Sequence, residues 1–350
     1  MPEMNVAQPA PAPAPAVAGV ARRTGFRRLM INLGIAGGAL SALYAGAGSV
    51  LVPQQIEDID RAHKVAVLGL IAGASAAFAL VFNPIGGALS DRTRSRLGRR
   101  APWLIGAPLA LLVVLVLVGQ IRAVPVLLAA WCAAQGLANL YQAPLTAVIP
   151  DRVPRARRGT ASAVTGVAMV LGGVAGVGVA SLFTAHLGWG YLALGLLMAG
   201  AAMSFVLNTT DASSAETPRP PRDTRRLTAR LADFLSALRY RDFFCVFASR
   251  AASLLGYFLI VGYELYILTD YIRLPGGMRP ARGIAVLAAI AAVGALLAAA
   301  IAGPLSDRLN RRKPFVVVSS AIAGAGCLLP VLSPTFGAVE LYAAFAGLAF

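Results

Sequence analysis

Long apolar runs separated by short polar segments dominate this sequence. Because a bilayer core is about 30 Å thick, a spanning helix needs roughly 20 mostly apolar residues. Every run except the last is long enough to span, and none shows a polar stripe or the two-residue alternation of a membrane β-barrel. The pattern therefore predicts an all-α polytopic membrane protein. The predicted spans are Leu29–Val52, Val65–Leu89, Trp103–Ile121, Val124–Ile149, Thr160–Phe183, Trp189–Leu207, Phe243–Thr269, Gly283–Pro304, Phe315–Leu332 and Phe336–Phe350.

The composition agrees with a lipid-facing surface. Apolar residues make up 58% of the 350 residues and charged residues 13%, with a mean hydropathy of +0.72. A soluble protein carries about 25% charged residues, so a soluble globular protein is excluded. The formal net charge of +16 would by itself suggest a nucleic-acid partner.

The positions of the basic residues give that charge a different meaning. With the N-terminus in the cytoplasm, 24 of the 31 Lys and Arg residues fall in predicted cytoplasmic segments and 6 in predicted outer segments. Arg250 lies within a span. This bias follows the positive-inside rule and predicts a multi-pass protein of the plasma (inner) membrane, with the lipid bilayer rather than nucleic acid as its partner. The Ala, Gly and Arg richness favours a bacterial source.

An internal repeat divides the chain into two halves. Gly87-Ala-Leu-Ser-Asp-Arg ends the second span, and Gly303-Pro-Leu-Ser-Asp-Arg ends the eighth, 216 residues later. The same offset carries the start of span one onto the start of span seven. The predicted organisation is a disordered Ala/Pro-rich and basic tail (1–28), a six-helix half (29–207), a basic cytoplasmic linker (208–242) and a second half (243–350).

These repeated motifs resemble the signature loop of the major facilitator superfamily. The expanded first copy, Asp91-Arg-Thr-Arg-Ser-Arg-Leu-Gly-Arg-Arg-Ala-Pro-Trp103, is similar to that of the glycoside-pentoside-hexuronide:cation symporters and of the sucrose–proton symporters. Pro150-Asp151 and Arg158-Gly159 resemble a second family element after span four. The resemblance implies a 6+6 helix fold whose transport path lies between the halves.

The repeat offset also places Phe350 opposite Ala134, in the middle of span four. By this reckoning the chain ends within span ten, and a complete second half would continue for about 70 residues. We therefore expect either a fragment or a truncated gene.

The resemblance further implies a cytoplasmic gating network that latches the two halves in one state and releases them in another. In the family the partner of the first aspartate lies near span eleven. Solvated loop charges without a gating role are the alternative. The residues carried over are Gly87, Asp91, Arg92, Gly98, Arg99, Arg100, Asp151 and Arg158, with Gly303, Asp307 and Arg308 from the second copy.

Polar side chains within the spans suggest a substrate and proton pathway, because ionisable groups at membrane depth are costly. Arg250, Tyr257 and Glu264 recur every seven residues on one face of span seven, although both charged groups could also extend towards the membrane surfaces. In span four, Gln135, Asn139 and Gln142 share one face beside Tyr141. They could bind a sugar or bond between helices without a ligand. In span two, Asn83-Pro84 predicts a kink, with the Asn side chain capping the backbone gap.

Together these features predict a secondary active transporter of a small polar solute, of the sugar or glycoside class, working by alternating access with protons as the coupling cation. Spans two and four contain no acidic residue, which disfavours the sodium coupling of related sugar transporters. Drug or metabolite efflux and an inactive or regulatory membrane protein are the alternatives. No cofactor, metal or enzymatic motif is predicted, and the oligomeric state is not indicated.

Overall fold

The computed structural model describes residues 25–209, 211, 214, 236, 239–309 and 313–349. Within its helices, the side chains at 242, 257, 302–316 and 349 are not described. The predicted site residues Tyr257, Gly303, Asp307 and Arg308 belong to that group. The backbone of each of these residues lies in a helix, but the structure does not describe its side chain.

The described chain is helical apart from loops and one isolated β-bridge between Arg273 and Thr335. Eight helices in this part of the chain are long and apolar enough to cross a membrane, and two shorter apolar helices follow at Val317–Leu332 and Phe336–Leu348. The helices are α1 (Phe26–Ile59), α2 (Lys64–Arg92), α3 (Ala101–Val118), α4 (Val124–Thr146), α5 (Arg158–Leu182), α6 (Leu187–Asn208), α7 (Arg241–Tyr266), α8 (Pro280–Leu309), α9 (Lys313–Leu332) and α10 (Phe336–Ala349).

Two helices depart from simple α geometry near the same end of the bundle. The segment Ala47–Leu51 is π-helical inside α1, and a π-helical segment Ile267–Tyr271 continues α7. A short helical segment, Val148–Arg152, also follows α4. The helix α2 continues through Pro84, and the Asn83 side chain bonds to α4 instead of capping the backbone gap as expected.

Helices that are distant in sequence pack together in the first half. The main pairs in contact are α1 with α5, α1 with α6, α2 with α4, and α3 with α6. Glycines bring α1 and α5 close: a Cβ on Gly172 would collide with the backbone of Gly38, and one on Gly176 with that of Ala42. In the second half α10 contacts both α8 and α9, while α5 contacts α8 and α1 contacts α7 across the two halves.

Large apolar side chains remain exposed on the outside of this bundle, among them Leu80, Leu182 and Leu207. Such a surface requires a hydrocarbon solvent, so the protein is an integral membrane protein. We call the end that carries the loops 93–100 and 153–157 the basic end. The opposite end, where α1 ends and α2 begins, is the distal end.

Candidate functional site

Polar side chains of α1, α2 and α4 form a hydrogen-bonded cluster inside the first half. The Tyr44 hydroxyl donates to Gln142 Oε1 at 3.0 Å, and Asn83 Nδ2 donates to Asn139 Oδ1 at 3.1 Å. Asn139 Nδ2 in turn donates to the Gln135 carbonyl oxygen at 2.9 Å and lies 3.5 Å from the Tyr44 hydroxyl. We call Tyr44, Asn83, Asn139 and Gln142 the amide cluster.

The amide cluster includes two of the three α4 residues predicted from sequence and adds two that were not assigned to it. Tyr44 and Asn83 come from other helices, so only the folded chain reveals their partnership. Gln135 is half-buried one turn away on α4. Tyr141, predicted beside this face, is instead fully buried, and its hydroxyl has no hydrogen-bond partner among the described residues.

Glu264 lies in a different environment. It lines a cavity of about 220 Å³ between α7, α9 and α10, whose other walls include Ile260, Cys327, Pro330 and Tyr342. In the described part of the chain, no hydrogen bond or ion pair joins Glu264 to the amide cluster. Arg250, about four turns nearer the basic end on the same helix, is exposed. The structure therefore places Glu264 as a lone carboxylate in a mainly apolar cavity of the second half.

At the basic end, two adjacent arginines hold two aspartates together. Asp151 Oδ2 accepts from Arg99 Nη2 and from Arg100 Nε, both at 2.7 Å, and Asp91 Oδ1 lies 3.4 Å from Arg100 Nη2 and 3.8 Å from Arg99 Nη1. Arg100 is only 4% exposed. Asp91 lies in the last turn of α2, where the helix dipole disfavours a negative charge, so these arginines compensate it.

The other predicted members of this network have separate roles. Arg158 belongs to the same predicted network, but no ion pair joins it to Asp151 among the described residues. It donates instead to the backbone oxygens of Pro150 and Val153, at 2.9 and 3.2 Å, and so closes the loop before α5. Arg92 is exposed. A Cβ on Gly87 would meet open space, whereas the neighbouring Gly86 lies against the α4 backbone at Leu140.

The residues that follow α6 are anchored on the loop between α2 and α3. Arg152 Nη2 lies 3.0 Å from Asp211 Oδ2, and the Ser214 N–H donates to the Ser95 carbonyl oxygen at 3.1 Å. Asp211 also packs over Gly98, which has a φ of +95° and no room for a Cβ. The start of the linker thus restrains the loop that carries Arg99 and Arg100.

At the distal end, one lysine joins the two halves. Lys64, the first residue of α2, is 7% exposed, and its Nζ lies 3.1 Å from Glu57 Oε1 on α1 and 2.8 Å from Asp270 Oδ2 after α7. It also lies 4.7 Å from the centre of the Tyr266 ring. We call Glu57, Lys64, Asp270 and Tyr266 the distal latch.

Two tyrosine hydroxyls reinforce this contact between halves. Tyr266 donates to the Pro53 carbonyl oxygen at 2.9 Å, and Tyr263 donates to that of Val65 at 3.3 Å. In the adjacent loop, the backbone N–H of His63 donates to Asp60 and is the main cause of a lowered pKa of that carboxyl. Sequence analysis counted Lys64 only as an outer-loop charge. Its rarity, as one of 2 lysines among 31 basic residues, was the one available signal.

Comparisons with known proteins agree with this architecture. The sequence profile of the Major Facilitator Superfamily matches residues 37–350. No curated protein sequence matches the chain significantly. Among solved structures, a bacterial homologue of the human lysosomal transporter Spinster is similar with a TM-score of 0.62 and 16% identity, over 97% of this chain and 74% of that one.

Two further solved structures share the fold at similarly low identity. A mutant of the nucleoside transporter NupG has a TM-score of 0.65 at 15% identity, over 91% of this chain and 80% of that one. A D-xylose–proton symporter has a TM-score of 0.58 at 15% identity, over 92% and 80%. At such identities the likeness extends to the fold alone.

Proposed function

The chain belongs to the major facilitator superfamily, and we propose that it is a secondary active transporter which moves a small polar solute by alternating access. In this proposal it resides in the plasma membrane with the basic end in the cytoplasm, as the positive-inside rule favours. It works as a carrier rather than as an enzyme.

The observation that carries this proposal is the distal latch. Lys64 belongs to the first half and Asp270 to the second, so their ion pair closes the bundle at one end by joining the halves. An alternating-access carrier must close each end in turn. Because the Lys64–Asp270 contact depends on the position of α7 against α1 and α2, a rocking motion of the halves would break it without unfolding either half.

The amide cluster supports a neutral, hydroxyl-rich solute of the sugar or glycoside class. Its members offer planar amides and a phenol hydroxyl, each able to donate and accept, and none carries a fixed charge. Gln135 and Gln142 are half-buried rather than sealed in the core, so both can exchange partners with a ligand. The structurally similar D-xylose–proton symporter and NupG carry, by their names, solutes of this hydroxyl-rich kind.

Proton coupling is assigned to Glu264. It is the carboxylate that lines a mainly apolar cavity within a membrane-spanning helix, and ionisable groups at that depth are costly and mark proton or substrate pathways. Binding and release of that proton would change the charge between α7, α9 and α10 and so bias the position of α7. In this proposal Arg250 and Tyr257 of the same helix face belong to the same pathway.

Transport into proteoliposomes tests the proposal. The wild type is expected to take up sugar when a proton gradient is imposed, and Glu264→Gln is expected to lose this gradient-driven uptake. Gln142→Leu is expected to lower uptake at subsaturating solute about tenfold or more, because a hydrogen bond to the solute is lost. Gln54→Leu is the matched control, because among the described residues Gln54 bonds to Asp58 at the distal end, away from the amide cluster. Accumulation that ignores the gradient, or survives in Glu264→Gln, would refute the coupling.

Efflux of an amphipathic cation is a second candidate, and the Glu264 cavity favours it. An apolar cavity of about 220 Å³ with one carboxylate suits a hydrophobic amine better than a sugar. The two candidates separate in cells that express the protein: a sugar transporter accumulates labelled glycosides, whereas an efflux transporter lowers the cell content of a fluorescent cation. In the efflux case Gln142→Leu should have little effect.

A further inference from the structure

A second cavity, of about 420 Å³, opens at the distal end of the first half. It lies where α1 ends, where α3 turns towards α4, and where α6 begins. Its walls come from α3 and α6 together with the end of α1, whereas the described contacts between halves involve α1, α2 and α5 with α7 and α8. The cavity therefore lies to the side of the path between the halves.

The floor of this cavity is held by satisfied hydrogen bonds. Gln55 is 1% exposed; its Nε2 donates to the carbonyl oxygens of Val118 and Ile121 at 2.8 and 3.0 Å, and its Oε1 accepts from the Tyr191 hydroxyl at 2.8 Å. The chain is also tight beside it, since a Cβ on Gly119 would lie 2.7 Å from the Gly188 Cα. A floor fixed in this way keeps the cavity open without a ligand.

The rim and the walls differ in polarity. Asp58, Arg122 and His186 are exposed on the rim, and Asp58 is oriented by Gln54 Nε2 at 3.1 Å. Below the rim, one side of the wall is apolar and includes Val116 and Trp189, which is 64% exposed, while Gln120 also lines the cavity. Tryptophan is enriched at membrane–water interfaces, where its amphipathic ring lies at the level of the headgroups.

An acid and a base on the rim, beside the apolar side of the wall, match an amphiphile whose head carries both charges. Arginine forms charge-assisted hydrogen bonds to phosphate oxygens, and a carboxylate accepts them from a primary ammonium group. A quaternary ammonium has no N–H to donate to Asp58, and a purely anionic headgroup would be repelled by it.

We propose that this cavity is a lipid site that binds the headgroup of a phosphatidylethanolamine from the adjacent leaflet. Arg122 binds the phosphate, Asp58 binds the ammonium, and the acyl chains lie along Val116 and Trp189. The inference does not depend on the transported solute, because the site lies outside the path between the halves.

Binding of short-chain lipids to the purified, delipidated protein tests this assignment. Dihexanoyl phosphatidylethanolamine is expected to bind more tightly than the choline and glycerol lipids of equal chain length. Arg122→Gln and Asp58→Asn are each expected to weaken its binding about tenfold or more, as loss of a hydrogen bond to a charged group does. Arg279→Gln is the matched control, since Arg279 is an exposed arginine at the distal end of the second half.

Each other outcome would overturn part of the assignment. Equal binding of the ethanolamine and choline lipids, or no effect of either rim variant, would refute the paired-charge site. Tighter binding of the glycerol lipid would show that the site binds phosphate but does not recognise the ammonium group, which would refute the role of Asp58. Free phosphoethanolamine, which has the headgroup but no acyl chains, distinguishes a soluble ligand from a lipid. Trp189→Ala is expected to weaken binding of the lipid but not binding of free phosphoethanolamine. Equal affinity for phosphoethanolamine and the short-chain lipid would refute the assignment as a lipid site.

Discussion

Adjacent residues of one type can contribute very differently to the stability of the fold, as Arg99 and Arg100 show. Both contact Asp91 and Asp151, but the Arg99 side chain is 40% exposed whereas that of Arg100 is 4% exposed. Water therefore reaches the Arg99 guanidinium, whereas the Arg100 guanidinium is almost fully shielded from it even though Asp91 and Asp151 are partly exposed. Removing a buried partner leaves an uncompensated charge, while an exposed pair contributes little.

We therefore expect Arg100→Gln to destabilise the protein by about 2–4 kcal/mol and Arg99→Gln by less than about 1 kcal/mol. Thermal unfolding of the purified protein in one detergent ranks the two variants. Arg96→Gln, at an exposed arginine of the same loop, controls for the loss of a positive charge. Equal losses for all three variants would show that the loop depends on net charge rather than on the Asp91–Asp151 contact.

The two glycines of the signature loop should also differ. Gly98 has a φ of +95° and lies under Asp211, so Gly98→Ala is expected to cost at least about 1–2 kcal/mol from the backbone alone. Gly87→Ala should change stability little, because the added Cβ meets open space. Limited proteolysis of the loop, together with thermal unfolding, measures both. A larger loss in Gly87→Ala would contradict this distinction.

Sequence reasoning found these loop residues but not all of their partners. The resemblance put Asp151 in one network with Arg99, Arg100 and Arg158, and in the folded chain Asp151 contacts Arg99 and Arg100, whereas Arg158 bonds to backbone oxygens. Tyr44 and Asn83 were missed as partners. A hydrogen bond between helices depends on how the helices cross, and spacing along one helix carries no record of that.

At the scale of elements, hydropathy predicts the helices better than motif spacing predicts the contacts between side chains. A run of apolar residues reports how much chain can lie in hydrocarbon, so the existence of α1 to α8 as apolar helices followed directly. Their ends did not. Helix α1 continues to Ile59, past the predicted end at Val52, because its last turns are polar yet packed against other helices. The π-helical segments in α1 and after α7 are five residues long each, and no pattern in those residues predicts them.

The contact between α1 and α5 gives a prediction for this scale. Gly172→Ala is expected to destabilise the first half by about 1–3 kcal/mol, because its Cβ collides with the Gly38 backbone and the helices must move apart. Gly178→Ala lies on the same helix with nothing near the added Cβ, and should leave stability unchanged or slightly higher. Thermal unfolding compares the pair, and a similar loss in both would show that the effect is not one of packing.

At the scale of the molecule, the repeat predicted two halves, and the folded chain adds how they meet. The offset of 216 residues relates motifs within the halves, but it cannot place α7 against α1 and α2. That placement is seen in the contact between Lys64 and Asp270, which are 206 residues apart, and in the hydrogen bond from Tyr266 to Pro53, which are 213 residues apart. The residues that join the halves therefore emerge only from tertiary structure.

If the distal latch must open for transport, holding it closed should stop transport without affecting the fold. Cysteines at Lys64 and Asp270, in a background with Cys132, Cys245 and Cys327 replaced, can be joined by a short cleavable thiol cross-linker. Uptake is expected to fall to background after cross-linking and to return after cleavage, because the halves can no longer separate at this end. The single-cysteine variants, treated alike, should keep their own uptake rates. Full uptake by the cross-linked protein would mean that the halves do not separate at Lys64 during transport.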